Sequence, residues 1–404
     1  ANTEIPAYED RIRSELGVFR DPGAARSCID FVEFYSESMA DAILNCAGAV
    51  KNAMGQSKIV GVYFGYSLEY TNMSWSLQMS GHNRLRKVLD SSDIDFLSAP
   101  PSYSVRRAGQ DSAWMWAFRS IQNAGKLVWV DDDTRTFLSG VADYTPAITL
   151  DQTRQVLRRN FAKAVCCLCP EGYLQINSGR ELDHPLIAED IRAIRRAGEY
   201  TVQHNVTREA EIAVVVDEDS VKYLGLDGAN LQSGEVDRIT SWNGDVRLVD
   251  RSVNTLTGDL ISYQRDRIAR IGAPIDYILF SDIKMLDLDY KFYIMLSCFQ
   301  YDDAVLSAVR QKIYDRGATV LWCYAPGFIH EGKADIANME PLTGFRFAMS
   351  TEPSSPRINI TDFTHPFFVG ETALTSFGVK YSISPLFYVA DSKAQVLGTY
   401  QGTG

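Results

Sequence analysis

Two hydrophobic rhythms alternate along this 404-residue chain. Short, nearly continuous apolar runs mark buried strands, and stretches with apolar residues every three or four positions mark amphipathic helices. Residues 8–17 predict a short helix. After Asp21-Pro22, residues 24–54 predict a long one, with Phe31, Phe34, Tyr35, Met39, Ala42, Ile43 and Cys46 on one face. Four strand–helix units follow: strand 59–64 with helix 81–89, strand 94–97 with helix 112–123, strand 127–130 with helix 149–160, and strand 163–168 with helix 187–202.

Such alternation predicts an α/β fold whose parallel sheet is covered by helices. Four units preceded by helices with no strand before them look like the second half of a TIM (β/α)8 barrel. A free-standing four-stranded sheet is the rival architecture. The pattern changes near Thr207. Strand 212–216 ends in Asp217-Glu218-Asp219, helix 260–271 leads to strand 277–280 and Ser281-Asp282, and apolar run 290–297, helix 304–315 and strand 319–323 follow. That order predicts a flavodoxin-like doubly wound domain. Beyond about residue 340 the helical signal stops, and strands 357–361, 377–383, 385–389 and 395–400 predict a small antiparallel β-domain. The expected domains are 1–207, 208–345 and 346–404.

Composition narrows the function. An apolar fraction of 46% supports full-sized cores, and a net charge of −11 with no basic run argues against a nucleic-acid surface. No apolar stretch reaches the ~18 residues of a membrane span, and the first residues show no signal-peptide pattern. The seven cysteines are scattered and suit small core positions. Cys166, Cys167 and Cys169 match no zinc spacing, so no metal is expected. With no Gly-x-Gly-x-x-Gly, phosphate loop or Gly-x-Ser-x-Gly, neither a cofactor nor a serine-hydrolase triad is expected.

The most informative segment is 125–136, GKLVWVDDDTRT. An apolar strand ends abruptly in Asp131, Asp132 and Asp133, then Arg135. Carboxylates at the end of a core strand are costly unless paired or used, and catalytic groups of α/β barrels sit at strand carboxyl ends. A solvated turn capping a helix is the alternative. Glu69, after strand 59–64, is the best in-chain carboxylate partner for Asp131, against a plain loop acid. Glu171, beyond the strand expected at 163–168, is a similar case. Arg135 could hold a carboxylate ionised or merely cap a loop. Tyr66, Trp75 and Tyr103 follow strand ends and suit a sugar-binding platform, weighed evenly against packing. Trp114 and Trp116 cannot share one helix face, so at least one belongs to the core.

The segments GHNRLRKVL (81–89), IDFLSAPPSY (94–103) and 125–136 resemble glycoside hydrolase family 42 β-galactosidases and their relatives in the same barrel clan. GAPID (272–276), Ser281-Asp282, LWCYAPG (321–327), SPLFY (384–388) and VLGTY (396–400) extend the resemblance into the later domains. It implies a retaining glycosidase acting on β-linked sugars, galactosides first, with two carboxylates flanking the scissile bond. Counted back from the strand at 163–168, strand 127–130 is the seventh of the barrel, and Asp131 matches the nucleophile position. The resemblance also implies a homo-oligomer, trimer before dimer, with contacts from about residues 208–345. Two departures stand out. The family nucleophile is Glu, one methylene longer than Asp131. Strands one to four, with the acid/base, would precede Ala1, so the chain is expected to be part of a longer protein. Pairing of two chains into one barrel, or a barrel reduced to a non-catalytic sugar-binding scaffold, are the other readings.

Overall fold

The structure, a computed structural model, describes residues 4–70, 80–139, 147–176, 179–204, 206–225, 239–240, 246–247, 255–371, 376–378 and 382–401. Helices α1 (Tyr8–Ile12) and α2 (Arg26–Met54) precede the first sheet. That sheet is parallel, with strands β1 (Gly61–Val62), β2 (Phe96–Ala99), β3 (Leu127–Asp132) and β4 (Glu171–Tyr173) in chain order. Its connections carry α3 (Leu85–Leu89), α4 (Phe118–Asn123) and α5 (Leu150–Cys166), and α6 (Pro185–Gln203) follows.

The two faces of this sheet differ. Val128, Val130 and Asp132 are buried on the helix side, while Leu127 and Trp129, 57% and 41% exposed, project to the other side together with Asp131. Tyr63, 59% exposed, continues β1 on this open side, as alternation from Gly61 requires. The register sets large side chains over glycines there. A Cβ on Gly61 would lie 2.0 Å from the Phe96 ring, and one on Gly172 2.8 Å from the Trp129 indole.

A second parallel sheet has β5 (Ile212–Val216), β6 (Ile275–Leu279), β7 (Phe292–Met295) and β8 (Thr319–Trp322) in the order β8-β7-β5-β6. Every residue of β5 is buried. Val214, Val216, Leu279 and Ile294 join one continuous core with Leu97, Val128 and Val130, so one face of the second sheet packs on the helix side of the first. Ala213, Val215, Ile278, Tyr293 and Met295 build a separate core on its other face. The Ser120 hydroxyl in α4 pins the junction, accepting from the Leu279 amide at 2.8 Å and donating to Asp282 at 2.5 Å. Beyond Phe347 the chain forms antiparallel pairs, Phe347–Ser350 with Leu386–Val389, and Ile358–Ile360 with Ser376–Phe377 and Gly398–Tyr400.

Four local expectations are corrected. Residues 163–168 finish a helix and turn instead of forming the last strand. Thr149 caps α5 through the Gln152 amide, and Val156, Leu157, Asn160 and Ala164 bury one face of a helix that runs on to Cys166. A short apolar run fits either a strand or a buried helix, and the helix face decided it. The strand comes later, and Glu171 begins it instead of following it. Residues 112–117 are not helical. Ser112 takes a left-handed backbone (φ 58°) and α4 starts at Phe118, which lets Trp114 and Trp116 both enter the core. Helix α3 starts at Leu85 instead of 81, where the Glu218 carboxylate accepts from the Leu85 and Arg86 amides at 2.7 and 3.1 Å. Helix α2 buries Cys28, Ile29, Val32, Ser36, Ala40, Ala47 and Lys51, leaving Phe34 69% exposed. Of the expected face, Met39 and Ile43 still pack against the core, partly buried, so the buried stripe is rotated from the expected one and not opposite to it.

Candidate functional site

The carboxyl end of β3 meets three chemically distinct fates in three consecutive acids. Asp131 is half-buried on the open face, and the Tyr63 hydroxyl donates to its Oδ2 at 2.7 Å. Asp132 points to the helix side and is buried. It accepts from the Thr134 amide and from Asn160 Nδ2 of α5, both at 2.9 Å. Asp133 is buried between two guanidinium groups, with Arg106 Nη1 at 2.5 Å and Arg135 Nη1 at 2.7 Å. The Tyr103 hydroxyl adds a third donor at 3.0 Å, and Arg106 stacks 4.3 Å from the Tyr103 ring centroid. A carboxylate held by two cations and a phenol is satisfied as a structural anion. Of the three, Asp131 alone combines partial exposure with a single recorded donor.

Glu69 lies elsewhere in chemical terms. It is fully buried, and its carboxylate accepts from Ser102 Oγ at 2.5 Å, Ser104 Oγ at 3.0 Å and Arg265 Nη2 at 2.8 Å. Arg265 itself is 1% exposed and also donates to the Trp114 and Ser262 carbonyls. This buried ion pair ties the loops after β1 and β2 to the helical segment before β6. The structure therefore does not bring Glu69 and Asp131 together as an open pair.

Glu171 pairs in register with Val130, which places it on the helix side with Asp132. Burial, reinforced by the neighbouring Asp132 charge, pushes its carboxyl up to about 10. Its two oxygens are shielded from solvent and have no other partner, so Glu171 is held as a neutral acid. Tyr66 is buried, donates to the Ser98 carbonyl at 3.1 Å and packs against His82 with ring centroids 5.0 Å apart and planes tilted by 34°. Trp75 lies outside the described residues.

Sequence reasoning missed three residues at this rim. Tyr63 could have been found from period-two alternation, which puts it on the same face as Asp131. Arg106 had no local signal, because its partner is 27 positions away. His82 has no Ser or Cys nucleophile motif around it in the sequence to mark it. In the structure its Nδ1 accepts from the Gly65 and Tyr66 amides at 2.9 and 3.2 Å, and burial holds the ring down to about 4. A neutral His82 thus shapes the turn after β1. Among the described residues no His/Cys/Asp/Glu group that could hold a metal lies at this rim.

No protein-family model and no curated protein matches the sequence. Solved structures do match in shape. A β-galactosidase from Rahnella sp. R3 gives a TM-score of 0.54 at 12% identity, covering 92% of this chain and 52% of that one. Those from Marinomonas ef1 and Halorubrum lacusprofundi give 0.52 at 10% and 0.51 at 15%, covering 90% and 94% of this chain and 54% and 53% of theirs. The likeness is one of fold. This chain spans about half the length of the β-galactosidases it resembles, and the shared fold is an α/β arrangement consistent with part of a glycosidase barrel.

Proposed function

We propose that this chain carries the nucleophile half of a retaining glycosidase acting on β-linked sugars, with β-galactosides as the first substrates to test. The observation that carries the proposal is the position of Asp131, at the carboxyl end of β3, on the open sheet face, beneath the Tyr63 hydroxyl. The four parallel strands would be strands five to eight of the barrel. The sheet order β6-β5-β7-β8 supports a flavodoxin-like second domain, residues 208–345, followed by the β-domain 346–404.

In this mechanism one Asp131 oxygen attacks the anomeric carbon as the glycosidic C–O bond breaks, and the leaving oxygen takes a proton from a second carboxyl. Water then displaces Asp131 from the glycosyl ester, giving its proton to that second carboxylate. Tyr63 orients the attacking carboxylate. Neither in-chain candidate suits the second role, since Glu69 is committed to Arg265 and Glu171 faces the helices. The acid then belongs to the other half of the barrel. An aryl galactoside with a strongly acidic phenol needs little protonation to depart, so it tests Asp131 without that acid. Turnover of 2,4-dinitrophenyl β-galactoside should fall at least about 100-fold in Asp131→Asn, with an unchanged thermal midpoint. Equal turnover in that variant removes Asp131 from the chemistry.

A second reading, a non-catalytic sugar-binding scaffold, is favoured by the short Asp side chain and by the sealed Glu69–Arg265 pair. Saturable galactose binding by the parent without turnover of the activated substrate selects it. The proposed homo-oligomer, a trimer formed through residues 208–345, is checked by light scattering at micromolar concentration. A monomer mass refutes it.

A further inference from the structure

The segments that follow β7 and β8 bring one imidazole and two carboxylates together, at the end of an α/β sheet where ligands usually bind. None of the three belongs to the Asp131 rim. Tyr301 ends the short strand Gln300–Tyr301, and Asp303 opens the helix Asp303–Val309. The strand Ile329–His330 pairs in parallel with Gln300–Tyr301, which sets His330 opposite Tyr301. Their rings stack, with centroids 4.5 Å apart and planes 21° apart. That contact fixes the imidazole plane, and His330 Nε2 lies 3.1 Å from Asp303 Oδ1.

Glu331 supplies the third group. The hairpin of Ile329–His330 with Lys333–Ala334 leaves only residues 331 and 332 for its turn. Tight turns of this kind take positive φ, where Asn, Asp or Gly is usual. Glu331 adopts φ 46° before Gly332 at 71°, a backbone uncommon for glutamate. One His330 nitrogen and one oxygen from each of Asp303 and Glu331 lie within 4.8 Å of one another. Among the described residues, no Lys or Arg forms an ion pair with either carboxylate, and Glu331 has no hydrogen-bond partner. Lys333, opposite His330 in the hairpin, is exposed and pairs with neither. Two carboxylates thus meet an imidazole with no lysine or arginine to balance them.

We infer that Asp303, His330 and Glu331 form a binding site for a divalent transition metal of the zinc class. Zinc takes His nitrogen and carboxylate oxygen at about 2.0–2.2 Å in a tetrahedron, whose corners then lie roughly 3.3–3.6 Å apart. The His330–Asp303 spacing is already close to that edge, and the exposed Glu331 side chain has the rotamer freedom to close the remaining gap. An imidazole favours zinc over calcium and magnesium, which take shells of oxygen. Water completes the fourth position. The ion ties the hairpin tip to the start of helix Asp303–Val309, independently of any glycosidase chemistry at Asp131.

Calorimetry of the whole chain against zinc chloride, after stripping with EDTA, tests this site. The parent should bind zinc saturably, and zinc should raise its thermal midpoint. His330→Phe keeps a ring against Tyr301 but has no ligand nitrogen, and its affinity should fall by more than about 100-fold. Glu331→Gln, on an exposed turn, should weaken binding at least about tenfold while the metal-free midpoint stays as in the parent. His204→Phe, which removes an exposed histidine at the end of α6, should bind as the parent does. Parent-like affinity in His330→Phe or in Glu331→Gln, or loss of binding in His204→Phe, means an adventitious ion only and overturns the inference. So does the absence of saturable binding in the parent.

Discussion

Replacing Glu69 by Leu distinguishes a structural carboxylate from a catalytic one. The side chain is fully buried, and its removal strips Arg265 of its only recorded carboxylate partner, at 2.8 Å. Arg265 keeps hydrogen bonds to the Ser262 and Trp114 carbonyls and to the Ser102 and Ser262 hydroxyls. Those satisfy its N–H groups without neutralising its charge. Breaking a buried pair from one side costs about 3–5 kcal/mol. At roughly 2–4 °C of midpoint per kcal/mol for a large domain, the expected drop is on the order of 10 °C, read by thermal circular dichroism. The double variant Glu69→Leu with Arg265→Met should recover much of that loss, since an apolar pair removes the stranded charge. Glu69→Gln adds the functional test. If the ion pair is structural, any residual turnover of the activated galactoside should follow the loss of folded protein. A Glu69→Gln variant with an unchanged midpoint and abolished turnover would refute this reasoning and restore Glu69 as a catalytic acid.

Two further outcomes follow from the rim. Glu171 has a folded-state pKa of about 10 against an ordinary 4.5, so the native state holds a proton that the unfolded chain releases between those values. Stability should fall as pH rises through that window. Glu171→Gln should therefore raise the midpoint at pH 8–9 and change it little below pH 4.5; a flat difference across this range would contradict a neutral, buried Glu171. Tyr63→Phe removes the hydroxyl that donates to Asp131 and should lower turnover of the activated galactoside about tenfold, or ~1.4 kcal/mol, with less than ~1 kcal/mol lost in stability because the ring is exposed. Unaltered kinetics would detach Tyr63 from the orientation of Asp131.

Local pattern determined much of this protein. Strand 212–216 was legible to the residue because all five positions are apolar and buried on both faces. Strand 127–130 was legible from its short unbroken apolar run, although only Val128 and Val130 of it are buried, and so was the singular character of the acids that end it. Where local sequence admitted two answers, tertiary contacts chose. The run at 163–168 could have been strand or helix, and packing of Val156, Asn160 and Ala164 against the sheet made it helix. Trp114 and Trp116 were expected on a helix that the left-handed turn at Ser112 and burial of both indoles did not allow. The separate fates of Asp131, Asp132 and Asp133 lay beyond local reading altogether. Strand alternation says only that neighbours point to opposite faces. Which face carries Asn160, and that Arg106 returns to neutralise Asp133, depends on chain segments 27 and 28 positions distant. The sealing of Glu69 is the extreme case, since Arg265 lies 196 residues further along the chain. Electrostatic interactions depend on distance in space and on desolvation, and neither is encoded in sequence spacing.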